Sequence, residues 1–208
     1  MAQGYFITGT DTDIGKTHAA VRLIRRWREE GKTVLAMKPV ASGCEVAADG
    51  EWVNGDVTRL VAATGQTDLA LMNPYRFLPP VSPHIAAREA GIEISLPVIA
   101  EHYRLLAESA DIVLVEGAGG WFAPLSDTLF MEDLARALDL PVILVVGMRL
   151  GCINHALLTA AAIRASGAIL AGWVANRIVP DQPAYGENMA MLRNRLDAPL
   201  LMELPFEA

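Results

Sequence analysis

A short polar run near the start of the chain has the residue types of a phosphate-binding loop. It lies between an apolar stretch and a helical pattern and reads Gly9-Thr10-Asp11-Thr12-Asp13-Ile14-Gly15-Lys16-Thr17. Backbone N–H groups at a helix start bind anions, Lys16 can reach the terminal phosphates of a nucleoside triphosphate, and the Thr17 hydroxyl can hold Mg²⁺. Thr10 stands where the usual loop has its first glycine. The strand-turn-helix context still favours a phosphate loop over an ordinary turn with a solvated lysine.

Two charged residues end apolar runs farther along the chain. Glu116 follows four apolar residues and precedes the glycine-rich turn 117–120, so its carboxylate is a candidate Mg²⁺ ligand. Lys38 also ends an apolar run, where a cation needs an anion such as a transferring phosphoryl group; a lysine that reaches the surface is the alternative. Asp56 is a candidate second metal ligand and, equally, the N-cap of a helix over Asp56–Ala63.

A third candidate site follows a later apolar run. A helix pattern begins after Gly151, and its free N–H groups suit an anion such as a carboxylate. Cys152 is predicted to be a packing or helix-start residue, because no base is fixed beside it, and we expect both it and Cys44 to stay reduced. The histidines lack metal-ligand spacing and are predicted to be packing or surface residues: His18, His84, His102 and His155.

Apolar runs of strand length alternate with helix-length amphipathic patterns. The predicted strands are Tyr5–Thr8, Val34–Met37, Ile112–Val115, Val142–Val146, Leu170–Ala175 and Leu200–Leu204. The predicted helices are Lys16–Glu30, Leu96–Ser109, Met131–Leu138, Ile153–Ser166 and Tyr185–Leu196, with a short pattern near Asp56–Ala63. This alternation predicts a single α/β domain over residues 1–208, with a mostly parallel sheet and helices on both faces, of the three-layer P-loop NTPase type.

Two details refine this predicted fold. The runs Ile112–Val115 and Val142–Val146 are almost entirely apolar, which is typical of central strands covered on both faces. Gly31 and Gly167 stand where helix C-termini favour glycine. The stretch from Gly43 to Pro83 mixes Gly, Asn, Asp and Pro, and is interpreted as an elaborated connection near the site.

The composition limits the class of protein. With 208 residues, 52% of them hydrophobic and 20% charged, the chain has enough apolar material for a compact core. A formal net charge of −7 argues against a nucleic-acid surface. The chain has neither an apolar run of the roughly 20 residues that a membrane helix needs nor a signal-peptide pattern at Met1–Ile7. We therefore expect a cytoplasmic protein with small-molecule partners, and neither nucleic-acid nor membrane partners.

Five ordered motifs resemble the dethiobiotin synthetase family of the biotin pathway, nearly from end to end. A further segment, Gly172-Trp173-Val174-Ala175-Asn176, is similar to the base-recognition segment of that family. The five motifs are the phosphate loop, Lys38-Pro39-Val40-Ala41-Ser42-Gly43, Ser82-Pro83-His84, Glu116-Gly117-Ala118-Gly119-Gly120-Trp121 and Gly151-Cys152-Ile153-Asn154-His155.

The resemblance implies a homodimer that uses CO₂ and MgATP to close a cyclic urea on 7,8-diaminononanoate, giving dethiobiotin, ADP and phosphate. In that family one amine captures CO₂ as a carbamate. ATP phosphorylates the carbamate to a carbamic-phosphoric anhydride, and the second amine attacks the activated carbon.

The resemblance also implies site residues. Lys16 and Lys38 would be catalytic, offsetting charge on the carbamate and the γ-phosphate. Mg²⁺ would be held by Thr17, Asp56 and Glu116. The substrate would be bound by Thr12 and Ser42 and, from the other subunit, by Gly151, Cys152 and Asn154. ATP would contact Asp13, Ile14, Gly15, Lys16, Thr17, His18, Asp56, Glu116, Gly117, Ala118, Gly119, Asn176, Arg177, Pro205 and Phe206.

The sequence departs from this family at its end. It stops at Ala208, where members of the family usually continue with another helix after the segment that matches Leu204-Pro205-Phe206. We therefore expect contacts to the nucleotide base from such a helix to be missing, which leaves the base preference open.

Two alternatives remain open. A nucleotide-switched partitioning ATPase shares this architecture, but it carries a signature lysine early in the loop, where this chain has Asp11. It would also use a basic amphipathic C-terminal helix to bind membranes, and the sequence shows none. A ligase that amidates a corrinoid precursor would need a glutaminase domain, for which no cysteine-triad signature is found. A separate glutaminase chain is still compatible with that alternative.

Overall fold

The computed structural model describes residues 2–48 and 50–207. Its strands are β1 (Gln3–Gly9), β2 (Val34–Met37), β3 (Val40–Ala41), β4 (Glu45–Val46), β5 (Trp52–Val53), β6 (Tyr75–Arg76), β7 (Ile112–Glu116), β8 (Val142–Met148), β9 (Leu170–Arg177) and β10 (Leu200–Leu204). Its helices are α1 (Lys16–Glu29), α2 (Gly55–Thr64), α3 (Leu69–Met72), α4 (Pro83–Ala90), α5 (Leu96–Ala107), α6 (Met131–Ala137), α7 (Cys152–Ala165) and α8 (Tyr185–Arg195).

The main sheet is parallel and has the strand order β10-β9-β8-β1-β7-β2. Strands β7 and β8 each lie between two neighbours, and every residue of both is buried. The prediction that these two strands are central is therefore confirmed. All carboxyl ends of the six strands meet at one edge, where α/β proteins bind their ligands.

Side chains of the sheet alternate between two hydrophobic clusters, one on each face. On β7, Val113 and Val115 pack in one cluster and Leu114 in the other, and on β8 Leu144 and Val145 divide in the same way. Helices α4 to α8 supply the first cluster, and α1, α2 and α3 supply the second. Helices on both sides of a parallel sheet give the three-layer α/β fold that the sequence predicts.

The regular elements agree with the predictions. Two strands match residue for residue, and the others extend by one or two residues at one end or, for β1, at both ends; the predicted helices end within two residues of the observed bounds. Helices α3 and α4 and the short strands β3 to β6 are not predicted. Gly31 and Gly167, with φ of 82° and 83°, adopt the left-handed backbone expected after a helix. Within the described ranges, no helix combines the length and apolar character needed to cross a membrane.

Candidate functional site

The phosphate loop joins β1 to α1 and leaves the start of α1 open. Gly15 precedes the helix with φ of 82° and ψ of 38°, a left-handed backbone that glycine adopts without strain. A Cβ atom at this position would lie 2.2 Å from the Asn176 amide nitrogen, so a larger residue does not fit. No side chain in the described ranges caps α1, and its first N–H groups are therefore available to an anion.

Two buried lysines lie beside this helix start. Lys16 Nζ donates to the backbone oxygen of Asp11 at 2.9 Å. Lys38 Nζ donates to Glu116 Oε1 at 2.5 Å and to Asp56 Oδ2 at 3.0 Å. Burial, and then the charge of Lys38, lower the pKa of Lys16 to about 8. Two ammonium groups this close together favour the binding of additional negative charge.

Lys38 does not reach the surface. It is 4% exposed, so the alternative of a lysine extending from the strand end into solvent is wrong. Burial opposes its charge, but the carboxylates of Glu116 and Asp56 outweigh burial and raise the pKa of Lys38. Lys38 therefore keeps its positive charge inside the site.

Three residues predicted to hold Mg²⁺ converge around Lys38. Thr17 Oγ1 donates to Glu116 Oε1 at 2.7 Å, and Lys38 Nζ bridges Glu116 and Asp56. The other oxygen of Glu116, Oε2, is buried and has no hydrogen-bond partner among the described residues. A hydroxyl and two carboxylates, one of which has an unpartnered oxygen, suit Mg²⁺. This candidate set has two carboxylates, and the described residues include no cluster of three or more His, Cys, Asp or Glu side chains that could hold a metal.

Helix α2 directs Asp56 toward Lys38. Asn54 Oδ1 accepts hydrogen bonds from the backbone N–H groups of Asp56 and Val57, at 3.0 Å and 3.3 Å. Asn54 is therefore the N-cap of α2, and the alternative that Asp56 fills this role is wrong. Burial opposes ionisation of Asp56, but the charge of Lys38 and hydrogen bonds outweigh it and lower its pKa.

Two cavities open over these groups. The first has a volume of about 710 Å³ and the second about 600 Å³. Both are lined by Asp13, Gly15, His18 and Arg59. The first also brings together most of the predicted phosphate, metal and substrate residues: Thr12, Lys16, Thr17, Lys38, Ser42, Asp56, Glu116, Ala118 and Gly119. The second brings together the predicted nucleotide-binding residues Asn176, Arg177, Pro205 and Phe206.

Other predicted residues line neither cavity. The Ile14 side chain packs in the core, and its backbone oxygen accepts a hydrogen bond from Asn176 Nδ2 at 2.8 Å. Gly117 packs closely on Phe6, where a Cβ atom would lie 3.1 Å from the ring. Both residues can therefore serve a nucleotide only through their backbone.

The start of α7 also lies outside both cavities. Its predicted substrate residues are Gly151, Cys152 and Asn154. Gly151 has φ of 92°, and no side chain within the described ranges caps this helix. Cys152 is buried, as the predicted packing role requires. The Cys152 N–H donates to Arg149 O at 3.0 Å, so the N–H groups that remain available to an anion lie farther into the first turn.

Several lining residues are absent from the sequence-based prediction. Arg59 follows Asp56 by three residues on α2 and lines both cavities; this helical spacing could have identified it. Pro80 and Val81 reach the first cavity from the long connection, whose path has no local sequence signal. The second cavity adds Arg22, Arg25 and Glu207.

Comparison with known proteins gives close sequence relatives. A family model described as an AAA domain matches residues 3–208. The ATP-dependent dethiobiotin synthetase BioD of Nitrosospira multiformis is 53% identical over 208 residues, which is 100% of this chain and 90% of that protein. The protein of the same name from Aromatoleum aromaticum is 52% identical over 207 residues, covering 99% of this chain and 92% of its own length.

Solved structures share the fold at low sequence identity. Chloroplast FtsY from Physcomitrella patens has a TM-score of 0.60 and 18% identity, covering 100% of this chain, which spans 62% of that protein. A ParA family ATPase from Chlorobium tepidum has a TM-score of 0.57 and 14% identity, covering 100% of this chain and 86% of its own. Only a similar fold therefore supports the partitioning ATPase alternative.

The solved structures show the fold of this chain, whereas the sequence relatives show its family. Low identity to P-loop NTPase structures supports the architecture alone, whereas identity at half of the positions over the full length identifies a family. The chain belongs to the dethiobiotin synthetase family.

Proposed function

We propose that this protein is an ATP-dependent ligase that joins CO₂ to 7,8-diaminononanoate and closes the cyclic urea of dethiobiotin, releasing ADP and phosphate. The observation that carries the proposal is the placement of Lys16 and Lys38 at one cavity beside the open start of α1. Two buried cations and free N–H groups can hold a triphosphate and a second anion, the carbamate, next to each other. Relatives at about half identity carry the corresponding name.

The first steps make and activate a carbamate. One amine adds to CO₂, which forms a C–N bond and releases a proton. A carbamate oxygen attacks the γ-phosphorus, and the bond from that phosphorus to ADP breaks. Lys16 and Lys38 would offset the charge that spreads over the phosphoryl and carbamate oxygens. Thr12 and Ser42 would contact the carbamate or the diamine, and Ser42 Oγ is buried with no hydrogen-bond partner among the described residues.

The last step closes the ring. The second amine attacks the carbonyl carbon of the anhydride, the C–O bond to phosphate breaks, and the amine loses its proton. Phosphorylation makes this step feasible, because phosphate leaves far more readily than an oxide. Both reacting groups belong to one molecule held in one cavity, so the attack needs no further encounter.

Three of the residues would also hold a metal. Thr17, Asp56 and Glu116 would bind Mg²⁺, which when bound offsets charge on the transferring phosphoryl group. Asn176, Arg177, Pro205 and Phe206 would contact the nucleotide base and ribose in the second cavity.

A homodimer would complete the site. The start of α7 has N–H groups suited to the substrate carboxylate, yet it lines neither cavity of its own chain. Leu150 and Leu158 beside it are 94% and 63% exposed, and apolar side chains at this exposure suit burial against another subunit. We therefore propose that each subunit, acting as one domain, offers this helix start to the diamine bound by its partner.

The reaction is tested by product analysis. The protein is incubated with 7,8-diaminononanoate, ¹³C-bicarbonate and MgATP, the products are separated, and their masses are measured by mass spectrometry. The proposal requires a cyclic urea that carries the ¹³C label and forms in step with ADP. ATP hydrolysis without that product would overturn the ligase proposal.

A further inference from the structure

Asp11 has no role in the proposed reaction, although it makes three contacts in the phosphate loop. Its carboxylate oxygen Oδ1 accepts the backbone N–H of Thr12 at 2.8 Å. The other oxygen, Oδ2, accepts a hydrogen bond from Arg149 at 2.8 Å. Its backbone carbonyl accepts the hydrogen bond from Lys16 Nζ at 2.9 Å. Asp11 thus touches a proposed substrate-binding residue, a proposed catalytic lysine and an arginine distant in sequence.

Arg149 reaches Asp11 from the loop between β8 and α7. The two side chains are 43% and 48% exposed, and an ion pair at this exposure adds little to the stability of the fold. The phosphate loop is already joined to β8 by Thr10, whose backbone N–H donates to Val145 O at 3.0 Å and whose hydroxyl accepts the N–H of Gly147 at 3.4 Å. Arg149 is therefore not required to attach the phosphate loop to the sheet, and its particular contribution is its charge.

A carboxylate in a phosphate loop needs such a charge. Asp11 and Asp13 both lie in the loop, and each repels a bound triphosphate. Asp13 lines both cavities, whereas Asp11 lies next to the cavity-lining Thr12 and lines neither. The guanidinium of Arg149 neutralises Asp11 at direct contact, so that the carboxylate can order the Thr12 backbone without a net negative charge at the rim of the site.

We propose that Arg149 is a positioning residue for nucleotide binding, which acts by neutralising Asp11. The inference rests on the proposed function, because it requires a nucleoside triphosphate at this loop. The proposal predicts that Asp11 weakens nucleotide binding only when Arg149 is removed. If the contact were purely structural, removing both partners would weaken nucleotide binding at least as much as removing one.

The test compares Arg149→Met, Asp11→Asn and the double variant. Asparagine keeps an oxygen for the Thr12 N–H but carries no charge. Binding of a non-hydrolysable ATP analogue with Mg²⁺ is measured by calorimetry at low salt. We expect Arg149→Met to weaken binding about three- to tenfold, and the double variant to return to within about twofold of the unchanged protein. Arg136→Met, which breaks a partly exposed arginine–carboxylate pair with Glu132 on α6, is the control and should bind normally.

Two results would overturn the inference. One is an affinity of Arg149→Met equal to that of Arg136→Met. The other is a double variant that binds no better than Arg149→Met alone. The experiment measures nucleotide binding and not product formation, so a failure of this inference can be distinguished from a failure of the proposed reaction. Rescue in the double variant without any cyclic urea would overturn the proposed reaction and support the role of Arg149.

Discussion

At the residue scale, two buried lysines of the same site differ in what balances their charge. Lys38 contacts two carboxylates, which keep it protonated. Lys16 contacts a backbone oxygen and lies near Lys38, and its pKa falls to about 8. A bound triphosphate would supply the missing negative charge to Lys16. Nucleotide binding and protonation of Lys16 should therefore be linked.

Nucleotide affinity should fall as the pH rises above about 8, the lowered pKa of Lys16. Above this pH the free protein has lost a proton that the nucleotide complex retains, so binding must take up a proton. Affinity then falls by up to about tenfold per pH unit. Calorimetric titration with an ATP analogue and Mg²⁺ over about pH 7 to 9.5 measures this slope. Lys16→Arg is the control, because its guanidinium stays charged; equal slopes for both proteins would contradict the assignment.

Lys38→Ala should lower the rate of ring formation by about a hundred- to a thousandfold, because it removes one preorganised charge from the phosphoryl-transfer step. Nucleotide binding should largely survive, since the helix start and Lys16 remain. Single-turnover assays and a nucleotide titration measure the two quantities separately. Unchanged turnover would show that Lys38 does not stabilise the transition state.

At the element scale, the regular alternation of the sheet and its helices could be predicted, whereas the long connection could not. Strands such as β8 are long and almost wholly apolar, so their pattern is unambiguous. Strands β3 to β6 have two residues each, and β3 and β6 depend on each other across the connection: Val40, for example, pairs with Tyr75. Local sequence carries no signal for such pairings.

Site residues on the regular strands could likewise be predicted, whereas the position of Asp56 in the connection could not. Residues at the carboxyl ends of strands, such as Glu116 and Lys38, could be found because strand ends of a parallel sheet share one edge. Asp56 lies on α2 within the connection, so its contact with Lys38 depends on a path that the sequence does not reveal. Spacing alone also could not choose between Asn54 and Asp56 as the N-cap, because both side chains can cap a helix.

Asn54→Ala should both destabilise the protein and weaken Mg²⁺ binding. Loss of the N-cap costs about 0.5–2 kcal/mol of the free energy of unfolding, and α2 then holds Asp56 less firmly beside Thr17 and Glu116. Denaturant unfolding and a Mg²⁺ titration in the presence of nucleotide measure the two effects.

A second N-cap provides the control for that prediction. Asp68 caps α3 by accepting the N–H of Leu71 at 3.0 Å, and it lines neither cavity. Asp68→Ala should lower stability without changing Mg²⁺ affinity. Asn54→Ser retains a side chain that can cap the helix, so its stability and Mg²⁺ affinity should match those of the unchanged protein. Equal Mg²⁺ affinity in Asn54→Ala and Asp68→Ala would contradict the role given to α2.

At the scale of the whole molecule, an acidic protein concentrates its cations around an anion site. The net charge is −7, yet the second cavity has more arginines than carboxylates in its lining, namely Arg22, Arg25, Arg59 and Arg177 against Asp13 and Glu207. In the first cavity, Lys16, Lys38 and Arg59 are matched by Asp13, Asp56 and Glu116. A positive second cavity on an acidic protein attracts an anionic nucleotide. The proposed carboxylate site at α7 lies apart from both cavities, and a second subunit is needed to bring it to them.

Two inactive variants should therefore restore activity when they share a dimer. Lys38→Ala removes the phosphoryl-transfer centre, and Asn154→Ala alters the α7 start that serves the partner. Subunit exchange between equal amounts should recover about one quarter of the normal activity, since half of the dimers are mixed and each has one intact site. Activity of the mixture and its sedimentation are measured together. Mixed dimers without recovered activity would contradict a shared site.

The central claim is that the γ-phosphoryl group passes to an oxygen of the carbamate. Freshly added ¹⁸O-bicarbonate in unlabelled water tests this claim by following one oxygen atom. Carbamate phosphorylation predicts one ¹⁸O atom in the released phosphate and one in the ring carbonyl of the product, because the C–O bond breaks when the ring closes. Labelled product accompanied by unlabelled phosphate would contradict the claim.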